Sequence, residues 1–236
     1  MKTIFHPATQ RGFASRGWLN SHHSFSFSQY YDPAKMNFGL LRVLNDDDVA
    51  KGMGFGTHGH DNMEIVSIPL SGALKHNDST GREAIIKQGD VQIMSAGSGI
   101  QHSEYNKSST ESVQFLQIWV IPKELNITPR YEQKTFNESD KKNKFLTVVS
   151  PEKDGNNIWI NQDAYFSMAN LDTGFQIDYQ LHNQKNGVYI FLLEGEIEAE
   201  NQLLKRRDAL GVYETESISI NAKTESKVLL IEVPMA

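Results

Sequence analysis

The chain has 236 residues, 39% hydrophobic and 10% aromatic, enough for the cores of one large or two modest domains. It contains no cysteine, which excludes disulfides and thiolate metal sites. A net charge of −6 with a pI near 5.8 excludes the electrostatic footprint of a direct nucleic-acid binder. The basic clusters Lys141-Lys142 with Lys144 and Lys205-Arg206-Arg207 read as solvated loops.

The opening MKTIFHPATQ has no apolar h-region or cleavage signature. No apolar run approaches the roughly 18 residues of a membrane span, so a cytoplasmic chain without membrane contact is expected. Along the chain, period-2 apolar patterns in short, turn-bounded segments dominate, and helical pattern is scarce. His6 reads as a surface residue. The segment SHHSFSFSQYYD, with His22 and His23, reads as an aromatic-rich packing strand. Short helical pieces are expected at Pro33-Ala34-Lys35 and Pro122-Lys123-Glu124-Leu125. Residues 38–45 read as a strand leading into an acidic turn, Asn45-Asp46-Asp47-Asp48. Residues 63–70 form a buried strand in which Pro69 implies an edge or a bulge. Ser71-Gly72 turns into 73–77, Asp78-Ser79-Thr80-Gly81 makes a hairpin, and Gln88-Gly89-Asp90 turns into 91–94. A long strand over 111–120 stops at Pro122.

Residues 129–144 are polar and aperiodic, and read as a connection between domains. Residues 145–236 look like a worn copy of the first part. Residues 189–193 with Glu194-Gly195 echo 65–70 with Ser71-Gly72, and Arg207-Asp208 echoes Gly89-Asp90. The expected organisation is all-β, with a first barrel over 1–128, a linker over 129–144 and a second barrel over 145–236. Closure into barrels removes the edges that such short strands otherwise expose.

Two short pairs carry the chemistry: His58-Gly-His60 and His102-Ser-Glu104. Side chains two apart on a strand share a face, so each pair aims into one cavity. Three imidazoles and one carboxylate form a natural shell for a divalent transition metal with positions left open. These donors suit Fe(II), Mn(II), Co(II), Ni(II), Cu(II) or Zn(II). In the second copy His182 is the sole histidine, near the place of the first pair, and reads as structural. The place of the second pair holds Ser219-Ile220-Asn221, and Glu194, Glu196, Glu198 and Glu200 read as one solvated strand face. One metal site per chain is expected. His76 reads as a hydrogen-bonding partner across its hairpin.

The stretches GFGTHGHDNMEIVSIPLSGALKHNDSTG and GDVQIMSAGSGIQHSE, in this order, resemble the two cupin blocks, and more narrowly those of the pirin family. With ITPRYEQ at 127–133, the chain is most similar to the bacterial pirin-like quercetinase group. Gly59 stands where pirins usually have proline, and Asp61-Asn62 where they have a basic-then-small pair. The resemblance implies two tandem cupin β-barrels of jelly-roll type. It implies one metal, iron by preference, held by His58, His60, His102 and Glu104. A general cupin pattern would nominate Glu64 instead. Strand parity does not separate the two, and the family resemblance favours Glu104, leaving Glu64 a pocket role. The implied activity is that of a flavonol 2,4-dioxygenase (quercetin 2,3-dioxygenase), which opens the heterocycle with O2 and releases CO. Glu104 would take the 3-hydroxyl proton, and Phe55 and Met63 would serve as cavity walls. The family also implies an alternative, a metal-dependent, non-enzymatic sensor or protein-interaction role.

Overall fold

The computed structural model describes residues 1–153 and 155–235. Twelve strands run in order through the first half: β1 (Lys2–His6), β2 (Gly12–Ser15), β3 (Leu19–His23), β4 (Leu41–Val49), β5 (Gly54–His60), β6 (Glu64–Ser71), β7 (Ala73–Asp78), β8 (Glu83–Lys87), β9 (Asp90–Ser95), β10 (Ile100–Asn106), β11 (Val113–Val120) and β12 (Arg130–Thr135). The second half adds β13 (Leu146–Ser150), β14 (Ile158–Trp159), β15 (Tyr165–Leu171), β16 (Gln176–Gln180), β17 (Asn186–Glu194), β18 (Glu196–Ala199), β19 (Gln202–Lys205), β20 (Ala209–Tyr213), β21 (Ser217–Ala222) and β22 (Ser226–Pro234). No α-helix occurs among the described residues, and the two 3-10 turns lie at Ala8–Gln10 and Glu138–Lys141 rather than at 33–35 and 122–125.

The strands form two barrels of matching design. A seven-stranded sheet, β12-β9-β6-β11-β4-β3-β2, faces a four-stranded sheet, β5-β10-β7-β8. The second half repeats this as β1-β20-β17-β22-β15-β13-β14 against β16-β21-β18-β19. The echoes in sequence mark true equivalences. Gly72 and Gly195, at φ +70° and +90°, turn β6 into β7 and β17 into β18. Asp90 and Asp208 each accept a backbone N–H three residues upstream at 2.9 Å, while Gly89 and Arg207 hold positive φ beside them.

The outer faces of the two large sheets share one core. Phe25, Leu41, Leu44, Ile68 and Leu116 from the first barrel meet Val149, Phe166, Tyr189, Phe191 and Leu229 from the second. Sheets buried on both faces lose their alternation, which is why β17 and β22 read as nearly unbroken apolar runs. Full burial of each large side chain there contributes about 1.5–3 kcal/mol.

Several expectations change. The stretch 129–144 is not a free connection, because Arg130–Thr135 pairs with β9 as the edge of the first large sheet. Its polarity belongs to an edge strand, where charge blocks further pairing. In return, Lys2–His6 pairs with β20 of the second barrel, so sheet membership crosses both expected boundaries. Asn45-Asp46-Asp47-Asp48 is no turn but the continuation of β4, whose polar residues Asn45 and Asp47 are buried. Pro69 marks a bulge: Ser71 and Pro69 face Gln114 and Phe115, with Leu70 the extra residue. It is not at an edge strand, but β9 pairs β6 only through Ser67, so the missing N–H leaves no gap in that ladder. Glu194 and Glu196 are split between β17 and β18 by Gly195, so the four glutamates do not share one strand.

Candidate metal centre and its cavity

His58, His60 and His102 converge as strand parity requires. β5 and β10 are antiparallel neighbours with His58 directly opposite His102, and ligating nitrogens of His58, His60 and His102 lie within 4.8 Å of one another. His60 Nε2 and His102 Nε2 are 3.0 Å apart. His58 Nδ1 donates to the Gly56 carbonyl at 2.7 Å, which leaves its Nε2 as the acceptor. Desolvation, then the neighbouring imidazoles, pushes His60 down to about 4 and His102 down to about 3. Both rings are therefore neutral near pH 7, the state a metal ion requires. His102 Nδ1 is buried with no hydrogen-bond partner among the described residues. Convergent neutral nitrogens and an orphaned ring atom fit a divalent transition metal.

Glu104 enters this cluster from one side. A register shift between His102 and Glu104 sets Glu104 opposite Phe55, one residue out of step. Such a bulge re-aims side chains, and it brings Phe55 onto the same cavity as His58 and His60. The Glu104 carboxyl groups with His102 and His76, each within 4.8 Å, rather than with all three imidazoles of the first cluster. It accepts from Gln117 Nε2 at 2.7 Å, and Ser67 Oγ lies 3.2 Å away. Burial pushes its pKa up, opposed by His76, Gln117 and Ser67. His76 bonds Asp78 at 2.9 Å, two residues along its own strand rather than across the hairpin, where it faces Ala84.

Before the cluster lies a cavity of about 580 Å³. Leu19, Phe27, Tyr30, Phe55 and Trp119 give it apolar walls, and Trp119 packs edge-on to His60 at 5.0 Å between ring centroids. Met63 does not line it and packs instead under Ile65, Met94 and Ile100. Glu64 is also absent from its walls. That carboxyl is buried at the seam between barrels, accepting from Ser95 Oγ at 2.8 Å and from the Asn161 N–H at 3.2 Å. His6 is half-buried rather than exposed: its Nδ1 lies 2.9 Å from the Tyr189 hydroxyl at the margin of the shared core.

The second barrel is filled where the first is open. Ser67 pairs with Gln117 on β6 and β11, and the matching pair on β17 and β22 is Ile190 with Leu230. His76 faces Glu104, and the matching pair is Ala199 with Ile220. His102 corresponds to Ile218, so the aligned triplet is Ile218-Ser219-Ile220, one residue earlier than the sequence echo suggested. These side chains join one apolar core. His182 bonds Glu232 at 2.9 Å and stacks on Tyr165 at 3.7 Å, a structural arrangement.

Sequence reading missed Ser21, Asn45, Asp47, Ser67, Gln117 and Trp119 as cavity or cluster partners. The available signal was polar residues recurring on the inward face of otherwise apolar strands.

The pirin family profile matches residues 5–120, and a profile described as the quercetinase C-terminal cupin domain matches 147–233. A quercetin 2,3-dioxygenase of Escherichia coli K12 is 41% identical over 227 residues, 96% of each chain. A pirin-like protein of Caulobacter vibrioides is 38% identical, covering 96% of this chain and 97% of that one. The crystal structure of the bacterial pirin YhhW from E. coli in complex with nickel(II) superposes with a TM-score of 0.94. It is 39% identical and covers the whole of both chains. Fold and site define a two-barrel cupin with a histidine-lined cavity in its first barrel. The chain belongs to the pirin family, in its bacterial quercetin 2,3-dioxygenase-like group.

Proposed function

We propose that this chain is a metal-dependent dioxygenase that opens the heterocycle of a flavonol such as quercetin with O2 and releases CO. The observation that carries this reading is the convergence of three imidazoles and a buried carboxyl at the end of an aromatic-walled cavity. His58, His60, His102 and Glu104 would hold the metal, and iron is the assignment, with nickel, zinc, manganese, cobalt and copper compatible with the same donors. When bound, a divalent metal stabilises an ionised substrate oxygen and keeps the reactants together.

The chain's own residues supply the rest. Phe27, Tyr30, Phe55 and Trp119 offer flat apolar surface that matches a planar polycyclic ligand. Glu104 takes the 3-hydroxyl proton. A carboxylate whose pKa is raised by burial is a better base for a weakly acidic hydroxyl. The Gln117 amide fixes the orientation of that carboxylate. His102 and Glu104 sit on the buried side of the cluster, while His58 is exposed and leaves it open to an entering ligand.

The test is anaerobic loading with Fe(II), then quercetin and O2, following flavonol loss and CO. Glu104→Gln should abolish turnover while retaining metal, and His102→Ala should lose stoichiometric metal. Full metal binding in the native protein with no flavonol consumption would overturn the reading. It would leave the metal-dependent interaction role that some pirins fill.

A further inference from the structure

The cavity has a second polar pole that the imidazole cluster does not use. Ser21 and His23 on β3 and Asn45 and Asp47 on β4 line it, and none is more than 5% exposed. Ser21 lies opposite Asp47 and His23 opposite Asn45, while Asn45 in turn faces Gln117, the residue that orients Glu104. With strands spaced about 4.8 Å apart, His23 stands two strands, roughly 10 Å, from Gln117. Phe27, Tyr30, Phe55 and Trp119 wall the same cavity.

Hydrogen bonding fixes what this pole presents. Ser21 has a single hydroxyl proton and donates it to Asp47 Oδ1. His23 Nδ1 is 2.8 Å from Asn45 Oδ1, an acceptor, so Nδ1 carries the proton and donates it. The neutral ring therefore has its acceptor at Nε2. Neither that atom nor Asp47 Oδ2 has a partner among the described residues. Burial lowers the pKa of His23 and raises that of Asp47 to about 7, so an acceptor and a carboxylic acid donor coexist near neutrality. Such a pair complements a hydroxyl, which both donates and accepts. The fold does not demand these groups. At the positions matching Asn45 and Asp47, opposite Leu230 and Val228, the second barrel has Ser167 and Ala169. Burying a carboxyl is costly without a ligand to use it.

We propose that Asp47 and His23 bind a hydroxyl at the end of the substrate remote from the histidine cluster. The cavity thereby selects flat aromatics with a polar group at both ends. The assignment rests on the flavonol dioxygenase reading and adds a specificity pole to it.

The test compares quercetin with 3-hydroxyflavone, which keeps the reacting hydroxyl and has no other. Fe(II)-loaded protein is titrated anaerobically with each, and KM and kcat are measured under O2. The native protein should prefer quercetin by at least on the order of tenfold. Asp47→Ala, which copies the second barrel, and His23→Phe should each remove most of that preference. The loss should appear in KM for quercetin, with affinity for 3-hydroxyflavone moving far less. Asp47→Asn, whose amide still donates, should restore much of the selectivity. Equal loss for both ligands, or a preference undiminished in Asp47→Ala, would overturn the proposal while leaving the flavonol reading intact. Native protein that binds neither ligand would overturn both, and the wild-type titration alone tells the two failures apart.

Discussion

Glu64 offers a quantitative test of where the barrels meet and of which glutamate serves the metal. Its carboxyl is 1% exposed. Desolvation pushes it up to about 7 from an ordinary 4.5, with Ser95, the Asn161 N–H and Arg130 opposing only in part. A carboxyl raised in the folded state binds more protons than in the unfolded chain between those two values. Its contribution is therefore most favourable below about pH 4.5 and is lost as pH rises towards 7. The shift corresponds to about 3 kcal/mol. Glu64→Gln abolishes the titration, yet an amide oxygen in the place of Oε2 still accepts from both the Ser95 hydroxyl and the Asn161 N–H. In denaturant unfolding of chelated protein, the variant should gain about 2–3 kcal/mol on wild type between the acidic and alkaline ends of that window. Metal titrations of the two proteins should coincide, because Glu64 faces the seam and not the cavity. A stability difference that stays flat with pH, or weakened metal binding in Glu64→Gln, would refute the placement.

Two further outcomes rest on the packing. Gly97 has φ +49°, and a Cβ there would stand 2.0 Å from the Ile127 carbonyl oxygen. Gly97→Ala should lose about 2 kcal/mol or more, read as a lower denaturation midpoint, and should weaken metal binding because the turn feeds β10. Glu232 is fully buried and accepts from Tyr179, Asn186, Asn183 and twice from His182. Desolvation raises its pKa, but those donors outweigh it and hold the group below its ordinary value. Its stabilisation is thus present above the unfolded value and lost as pH falls through the folded one. Glu232→Gln should cost about 3 kcal/mol at neutral pH, measured by chemical denaturation, with the difference shrinking in acid.

Much of the site was legible because period-2 geometry is local. His58, His60 and His102 converge for the reason the H-x-H spacing suggested, and the glycine-marked hairpins lie where the turn residues put them. Misreadings came from long-range effects. Asn45-Asp46-Asp47-Asp48 has turn composition, but pairing with Phe115 and Gln117 on β11 overrides local preference. Arg130–Thr135 has the polarity of a linker because an edge strand needs no apolar alternation. The exchange of β1 into the second barrel's sheet leaves no trace in the sequence of either barrel, since any half-exposed strand of suitable length can dock on β20.

The second barrel serves as an internal control for why the first is polar inside. At the positions of Ser67, Glu104 and Gln117 it carries Ile190, Ile220 and Leu230. Replacing Gln117 alone by Leu takes the 2.7 Å donor from a buried carboxyl and should cost about 1–3 kcal/mol. Replacing Ser67, Glu104 and Gln117 together by Ile, Ile and Leu removes both partners of each bond within that trio, and swapping a buried polar network for apolar residues is often neutral or stabilising. The triple variant, stripped of metal, should therefore be at least as stable as wild type and more stable than Gln117→Leu, a strong departure from additivity. It should be inactive, since it lacks the proposed base. Denaturant unfolding of the native protein, each single variant and the triple variant measures this directly. If the triple variant were less stable than any single replacement, the polar cluster would be stabilising the barrel in its own right, and the case that it is kept for chemistry would fall.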